Sequence, residues 1–402
     1  MRCSEQLQFC QGKDIWIDFR DLEQRKKELI RYNTDVLKRG QIKARCEYDD
    51  RLLKKNLIHL GPLQSWGAEL QNFQSLDKNE IAPCDVRIER PTFIMKIDAT
   101  VNMYHHFCDF FNLYASLHIN GSINNQSEFD ENTFNRNVNV LIWENIEYRS
   151  SLSQVFDAFT QNPILNLNTF AGKRVCFKNV VFPLLPRMLF GLFYNTPLTP
   201  NECHSSGLFK AFSDFITHRL NVPKPQVTNS RKINVTILSR QTKHRRILNL
   251  GTLERTLLDH GGFEVTIAPF THKVPFDHQM KIIRTTDILV GIHGAGLTHM
   301  LFLPDWAAVF ELYDCDDPSC YRDLARLKGV KHLSWSKMDK LTPEVKALAE
   351  HEHPGVSAKF TNYAFDPDEF LVKMIEAAEY VKNHPDFKSL DVNSAVNGHD
   401  EL

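Results

Sequence analysis

A chain of 402 residues is long enough for two domains with complete cores. With 42% hydrophobic residues, 24% charged residues and a formal net charge of −1, its composition is that of an ordinary globular protein. That balance argues against nucleic-acid or anionic-membrane partners. No apolar run approaches the roughly 20 residues of a membrane span, so no span is expected.

Residues 1–90 form a polar, mixed segment expected to pack on the first domain, with a predicted helix at Leu22–Leu37 and Trp66 in GPLQSWGAEL. From Pro91 the pattern alternates: strand Thr92–Ile97, helix Met103–His118, a polar loop at Ile119–Asn137, strand Val138–Trp143 and helix Leu152–Phe159. Strands at Ile164–Phe170 and Arg174–Phe177 and a helix at Ser206–Arg219 follow. The Pro-containing connector Asn221–Ser230 reads as the end of a first domain spanning 91–225. Beyond it, strands Ile233–Ser239, Phe263–Ala268, Ile288–Val290, Ala307–Leu312 and Val330–Trp335 alternate with helices near 249–259, 276–285, 297–303 and 319–328. That alternation predicts a five-strand doubly wound parallel sheet in a second domain, 226–388. A last helix, Asp368–Lys382, is expected to pack back on the first domain, ahead of a flexible tail at 389–402.

The richest segment is DILVGIHGAGLTHMLFLPDWAAVFELY, from Asp287 to Tyr313. A buried strand runs into a turn holding Gly291, Gly294 and Gly296, then into a short helix. Glycines there let backbone N–H groups approach an anion at a helix N-terminus. The spacing departs from both the dinucleotide fingerprint and the P-loop, which disfavours a nucleotide-dependent oxidoreductase. A nucleotide diphosphate is the expected ligand, with Gly294, Ala295, Gly296, Thr298 and His293 beside its phosphates and Glu311 on the ribose. Arg240, at the end of the first strand of the second domain, is the leading cation, because a guanidinium grips a diphosphate with a two-pronged fork. Arg245 and Arg246 lie just beyond, within the basic run Lys243–Arg246.

On the helix MYHHFCDFFNLYASLH, Phe107, Phe110, Phe111, Tyr114 and Leu117 make an apolar stripe. They leave His105, Asp109, Asn112 and Ser116 on a more polar face. His105 and Asp109 are four apart, so the carboxylate is expected to orient the imidazole as a general base, with His106 as fallback. Trp66 and Tyr194 are candidate aromatic platforms.

Nine cysteines show no zinc-ligand spacing; Cys3/Cys10 and Cys315/Cys320 are placed to close small disulfide loops in an oxidising compartment. The terminal His399-Asp400-Glu401-Leu402 is an HDEL address, read by a retention receptor of the endoplasmic reticulum. N-glycosylation sequons at Asn120, Asn125 and Asn234 suit a lumenal protein, the first two falling in a loop and the third in a predicted strand. The opening MRCSEQLQFCQGKDIW has no apolar signal region, so the expectation is a gene product missing its leader.

The blocks GIHGAGLTHMLFLPDWAAVFELY, RVCFKNVVFPLLPRMLFGLFYNTPL and VNMYHHFCDFFNLY, together with the HDEL tail, resemble glycosyltransferase family 61, and within it the transferases that modify EGF-like repeats. The resemblance runs from about Cys3 to Leu402. It implies a GT-B-like α/β fold, two Rossmann-like doubly wound domains facing a cleft. It also implies inverting transfer of N-acetylglucosamine from UDP-GlcNAc to Ser or Thr of EGF-like repeats on secreted or cell-surface proteins in the endoplasmic reticulum lumen. One departure stands out: where the family carries an acidic D-x-D-like triplet, this chain has Gln161-Asn162-Pro163. No cofactor is expected, and a divalent metal is left open. The departure also keeps two alternatives: a catalytically weak lumenal protein that binds EGF repeats, and a family 61 enzyme with another acceptor.

Overall fold

The computed structural model describes residues 1–23, 29–32, 34–46, 49–56, 61–77, 83–119, 136–188, 205–223, 232–312, 319–344 and 361–396. The chain divides into two compact units, Met1–Thr199 and Pro200–Leu402. The division falls before the Asn221–Ser230 connector, so the Gly207–Arg219 helix joins the second unit. There it packs on the segment Ala295–Phe302 and the helix Cys320–Lys328.

The first unit is built on a nine-stranded sheet: β1 (Arg2–Cys3), β2 (Cys10–Asp18), β3 (Ile42–Ala44), β4 (Phe73–Ser75), β5 (Val86–Ile88), β6 (Thr92–Met95), β7 (Asn139–Ile142), β8 (Leu165–Asn166) and β9 (Arg174–Phe182). Its order is β4-β3-β2-β9-β6-β7-β8, with β1 on β2 and β5 on β9. The β9-β6-β7-β8 half is parallel, whereas β2 runs antiparallel to both β9 and β3. The sheet is therefore mixed rather than doubly wound throughout. Residues 1–90 supply five of its strands instead of packing against it from outside. Strands β6 and β7 are buried at every position, as a parallel strand covered on both faces must be. Two disulfides, Cys3–Cys10 and Cys84–Cys176, tie β1 to β2 and the approach to β5 to β9. The second pair was not anticipated; Cys315 lies outside the described residues.

The helix expected at Leu22–Leu37 is absent from its described part. Arg31 instead makes an antiparallel bridge to Ala99, and the Val36 and Leu37 N–H groups donate to the buried carboxylate of Glu69, both at 2.9 Å. A carboxylate distant in sequence has taken the donors that a helix would have used. Predicted helix Leu152–Phe159 forms as a 3-10 segment, Ser153–Ala158, and the Ile164–Phe170 strand shortens to Leu165–Asn166 ahead of a 3-10 turn, Leu167–Phe170.

The second unit follows its sequence pattern closely. Five parallel strands, β10 (Ile233–Leu238), β11 (Phe263–Ala268), β12 (Ile288–Gly291), β13 (Ala308–Glu311) and β14 (Lys331–Ser334), lie in the order β11-β10-β12-β13-β14. Chain order reverses between β10 and β12, which makes their carboxyl ends the topological switch point of a doubly wound sheet. The helix Pro367–Asn383, capped by Asp366 accepting from Glu369 N at 3.0 Å, buries Phe370, Met374, Ala377 and Val381. Those side chains join the core of the second sheet.

Candidate functional site

At the switch point, Arg240 follows β10 and the Ile292-His293-Gly294 turn follows β12. Gly294 adopts φ +155°, where a side chain is strained, and a Cβ there would lie 3.1 Å from Arg245 Nη1 and 3.2 Å from Arg240 Nη2. Two guanidinium tips thus converge on one backbone position that has no side chain. Arg245 itself takes φ +59° and donates from Nη1 to the His293 carbonyl at 3.2 Å. Its loop is pinned by Asn362, whose Oδ1 accepts from Arg246 N at 2.8 Å and whose Nδ2 donates to Lys243 O at 3.1 Å. Neither Arg240 nor Arg245 has a carboxylate partner among the described residues, and the buried Nε of Arg245 has no acceptor there. Burial, and then repulsion from Arg245, pushes Arg240 down to about 10, which still leaves it charged at neutral pH. Two half-buried, unneutralised cations at a switch point are an arrangement suited to an anion.

The other expected donor-side residues separate into two groups. Ala295 and Gly296 open the 3-10 segment Ala295–Phe302 beside the arginines, and Gly296 also lets Leu238 approach, 3.2 Å from where a Cβ would stand. Thr298 is fully buried, with its hydroxyl unpartnered among the described residues. Arg246 is exposed. Glu311 is not available to a ribose. One of its oxygens sits 2.6 Å from His293 Nδ1 and the other 2.9 Å from His332 Nε2, and the residue is 1% exposed. Burial works to raise its pKa, but the two imidazoles hold it below the usual carboxylate range. His332, on β14, and Tyr321, whose ring lies edge-on to His293 with centroids 4.9 Å apart, escaped sequence reasoning. No local spacing connects them to Glu311.

In the first unit the helix Met103–Ile119 is buried nearly all round, so the face carrying Asp109, Asn112 and Ser116 is not polar surface. Asn112 and Ser116 donate to the carbonyls of Cys108 and Asn112, bonds made inside the core, while the buried Oδ1 of Asn112 has no partner among the described residues. The expected His105–Asp109 pairing does not form. His105 Nδ1 lies 2.8 Å from Asp98 Oδ2, and the same oxygen accepts from Arg187 Nε at 2.9 Å. Asp98 follows β6 at its carboxyl end, and its own N–H donates to Asp109 Oδ1 at 3.1 Å. Burial works to raise the Asp98 carboxyl, but His105 and Arg187 hold it below its ordinary value, so it stays ionised. Asp109 instead meets His106 Nδ1 at 3.1 Å, while His106 Nε2 meets the Tyr148 hydroxyl at 2.8 Å. Burial pushes His106 down to about 3 and Asp109 well up; the enclosed pair shares one proton and is unsuited to exchange it. The partly exposed His105, oriented by Asp98, is the side chain of this helix whose arrangement suits general-base work.

Trp66 is core rather than a sugar platform: it is fully buried, donates to Pro183 O at 2.8 Å and packs edge-on to Phe182. Within Gln161-Asn162-Pro163, Asn162 Nδ2 donates to Val138 O at 2.9 Å, a loop-holding bond that a carboxylate could not make. Asn234 lies inside β10 with its amide on Thr285 O at 3.1 Å, a poor glycan acceptor. Asn120, Asn125, Tyr194 and His399–Leu402 lie outside the described residues. Among those described, no cluster of three or more potential metal ligands occurs, and no helix is long and apolar enough to cross a membrane.

The family model described as Glycosyltransferase 61 matches residues 103–310, which run from the start of the His105 helix into β13. Curated relatives match far more of the chain. A Drosophila melanogaster protein named EGF domain-specific O-linked N-acetylglucosamine transferase is 50% identical over 391 residues, covering 96% of this chain and 72% of its own. The chain belongs to glycosyltransferase family 61. Proteins of the same name from Bos taurus and Xenopus laevis are 45% and 44% identical, covering 95% and 96% of this chain and 70% and 71% of their own. This family 61 chain carries an unneutralised arginine pair in its second unit and a histidine oriented by Asp98 in its first.

Proposed function

We propose that this chain is an inverting glycosyltransferase that moves N-acetylglucosamine from UDP-GlcNAc to Ser or Thr hydroxyls of EGF-like repeats. The near-full-length similarity to transferases of that name supports the sugar and the acceptor. The observation that carries the chemistry is the convergence of Arg240 and Arg245 on Gly294. In this reading the acceptor hydroxyl gives its proton to His105 Nε2, the basic nitrogen when Asp98 holds the proton on Nδ1. The hydroxyl oxygen bonds to the sugar C1 as the C1–O bond to the β-phosphate breaks, and the bonding pair leaves on that phosphate. Arg240, Arg245 and the Gly294–Gly296 backbone take up the departing charge. Two guanidiniums supply the positive charge that a divalent ion supplies in other transferases, so we assign the reaction no metal requirement. A GT-B organisation, with the second unit as donor unit, belongs to the same proposal. So does residence in the endoplasmic reticulum lumen, which the HDEL terminus and the two disulfides favour.

The test is mass spectrometry of a folded EGF-like repeat incubated with UDP-GlcNAc and lumen-expressed protein, with and without a chelator. Addition of one N-acetylhexosamine in both conditions is expected. Binding of the repeat without transfer would mark a recognition protein instead, and loss of transfer under chelation would overturn metal independence.

A further inference from the structure

Glu311 was expected on the donor ribose, yet both its oxygens are committed to imidazoles, one on the turn after β12 and one on β14. This buried His293–Glu311–His332 chain borders the arginine site, since the His293 carbonyl holds Arg245 Nη1. We propose that Glu311 and His332 are positioning residues that fix His293 against the donor diphosphate and make donor binding draw in protons. The inference rests on the donor-site assignment above and deepens it.

The reasoning is charge counting on fixed geometry. With both imidazoles neutral, the ionised Glu311 gives the chain a net charge of −1, which opposes an incoming diphosphate. Each imidazole that gains a proton raises that sum by one, to zero and then to +1. A dianionic ligand at the arginines therefore favours the protonated forms, and proton uptake accompanies binding. Of the other groups facing the chain, Arg240 remains charged across the histidine range, and burial pushes the Tyr321 hydroxyl well above its ordinary value. His332 has no assigned contact with the donor; it acts by holding the second oxygen of Glu311, which leaves the first to set the His293 ring.

Calorimetric titration of the full chain with UDP-GlcNAc between about pH 5.5 and 8.5 tests this, because the diphosphodiester keeps its own charge across the range in which histidines titrate. The wild type is expected to bind more tightly as pH falls, by at most about tenfold per pH unit for each proton taken up. Glu311→Gln preserves the side chain's shape but removes the charge, and its affinity should be nearly independent of pH. His332→Gln should retain roughly half of the wild-type slope, one titrating group of two having been removed. Melting curves verify that both variants fold, and if Glu311→Gln does not, the His332→Gln slope decides alone. A flat wild-type profile, or a full wild-type slope in either folded variant, overturns the proposal. Absence of wild-type binding at every pH would instead bring down the donor-site assignment on which it rests.

Discussion

Lys96 in the first unit and the Arg240–Arg245 pair in the second are both cations drawn out of water, and they are treated in opposite ways. Lys96 is 2% exposed and wholly compensated: Asp35 lies 2.5 Å away, Pro62 O accepts at 3.0 Å, Glu69 stands at 3.7 Å, and the Tyr32 and Trp66 rings flank it at 4.8 and 4.9 Å. Glu69 in turn accepts from Trp143 Nε1, Tyr32 and the Val36 and Leu37 backbone. Arg240 and Arg245 have no such complement among the described residues and repel each other. A buried cation answered within the chain holds a fold together. One left unanswered at the carboxyl edge of a parallel sheet suits the anion site we propose.

The contrast can be broken at either end. Lys96→Met should be the most damaging change, destabilising the first unit by about 3–5 kcal/mol because Asp35 and Glu69 lose their counter-charge. Chemical denaturation should show that loss, while donor affinity of the folded protein stays near wild type. A neutral effect on stability would remove Lys96 from the structural class. Arg240→Gln should do the converse, lowering kcat/KM by about 10²–10³-fold while the melting temperature holds or rises as repulsion from Arg245 is relieved. Turnover at the wild-type rate would take Arg240 out of the site. Asp98→Asn, which leaves His105 without its carboxylate, should reduce kcat by roughly 10²-fold and shift the acid limb of the pH–rate profile, where the base takes up its proton. An unshifted profile would move the base elsewhere.

The smallest expected effect concerns His299, buried in the 3-10 segment between Gly296 O and Gln279 Oε1, both 2.7 Å away. Burial pushes it down to about 4. The unfolded chain therefore binds the proton first, and stability present at neutral pH is lost as pH falls from the ordinary histidine value toward about 4. The slope from this group is at most about 1.4 kcal/mol per pH unit. Denaturant melts of His299→Gln should lose that contribution, and an unchanged acid slope would assign it to other groups.

What could be read in the sequence follows the range of the interactions. The second unit was legible because each parallel strand is a short, nearly continuous apolar run with a helix behind it, and Arg240 and the Gly294 turn follow directly from strand ends. The pairing of His105 was misread because helical spacing nominated Asp109, whereas Asp98, seven residues earlier at the end of β6, reaches the ring. Glu311 was given a ribose because nothing local reveals that His293 and His332, eighteen and twenty-one residues away along the chain, close on its two oxygens. The Leu22–Leu37 segment has helical periodicity, yet its Val36 and Leu37 N–H groups go to Glu69, more than thirty residues distant. Tertiary hydrogen bonds outweighed local propensity in each case.

The most direct test of the account is a crystal structure of the protein with UDP. It should place the diphosphate oxygens within hydrogen-bond reach of the Arg240 and Arg245 guanidiniums and of the backbone at Gly294–Gly296. A nucleotide bound elsewhere, with both arginines turned to solvent or to a carboxylate of the chain itself, would contradict it.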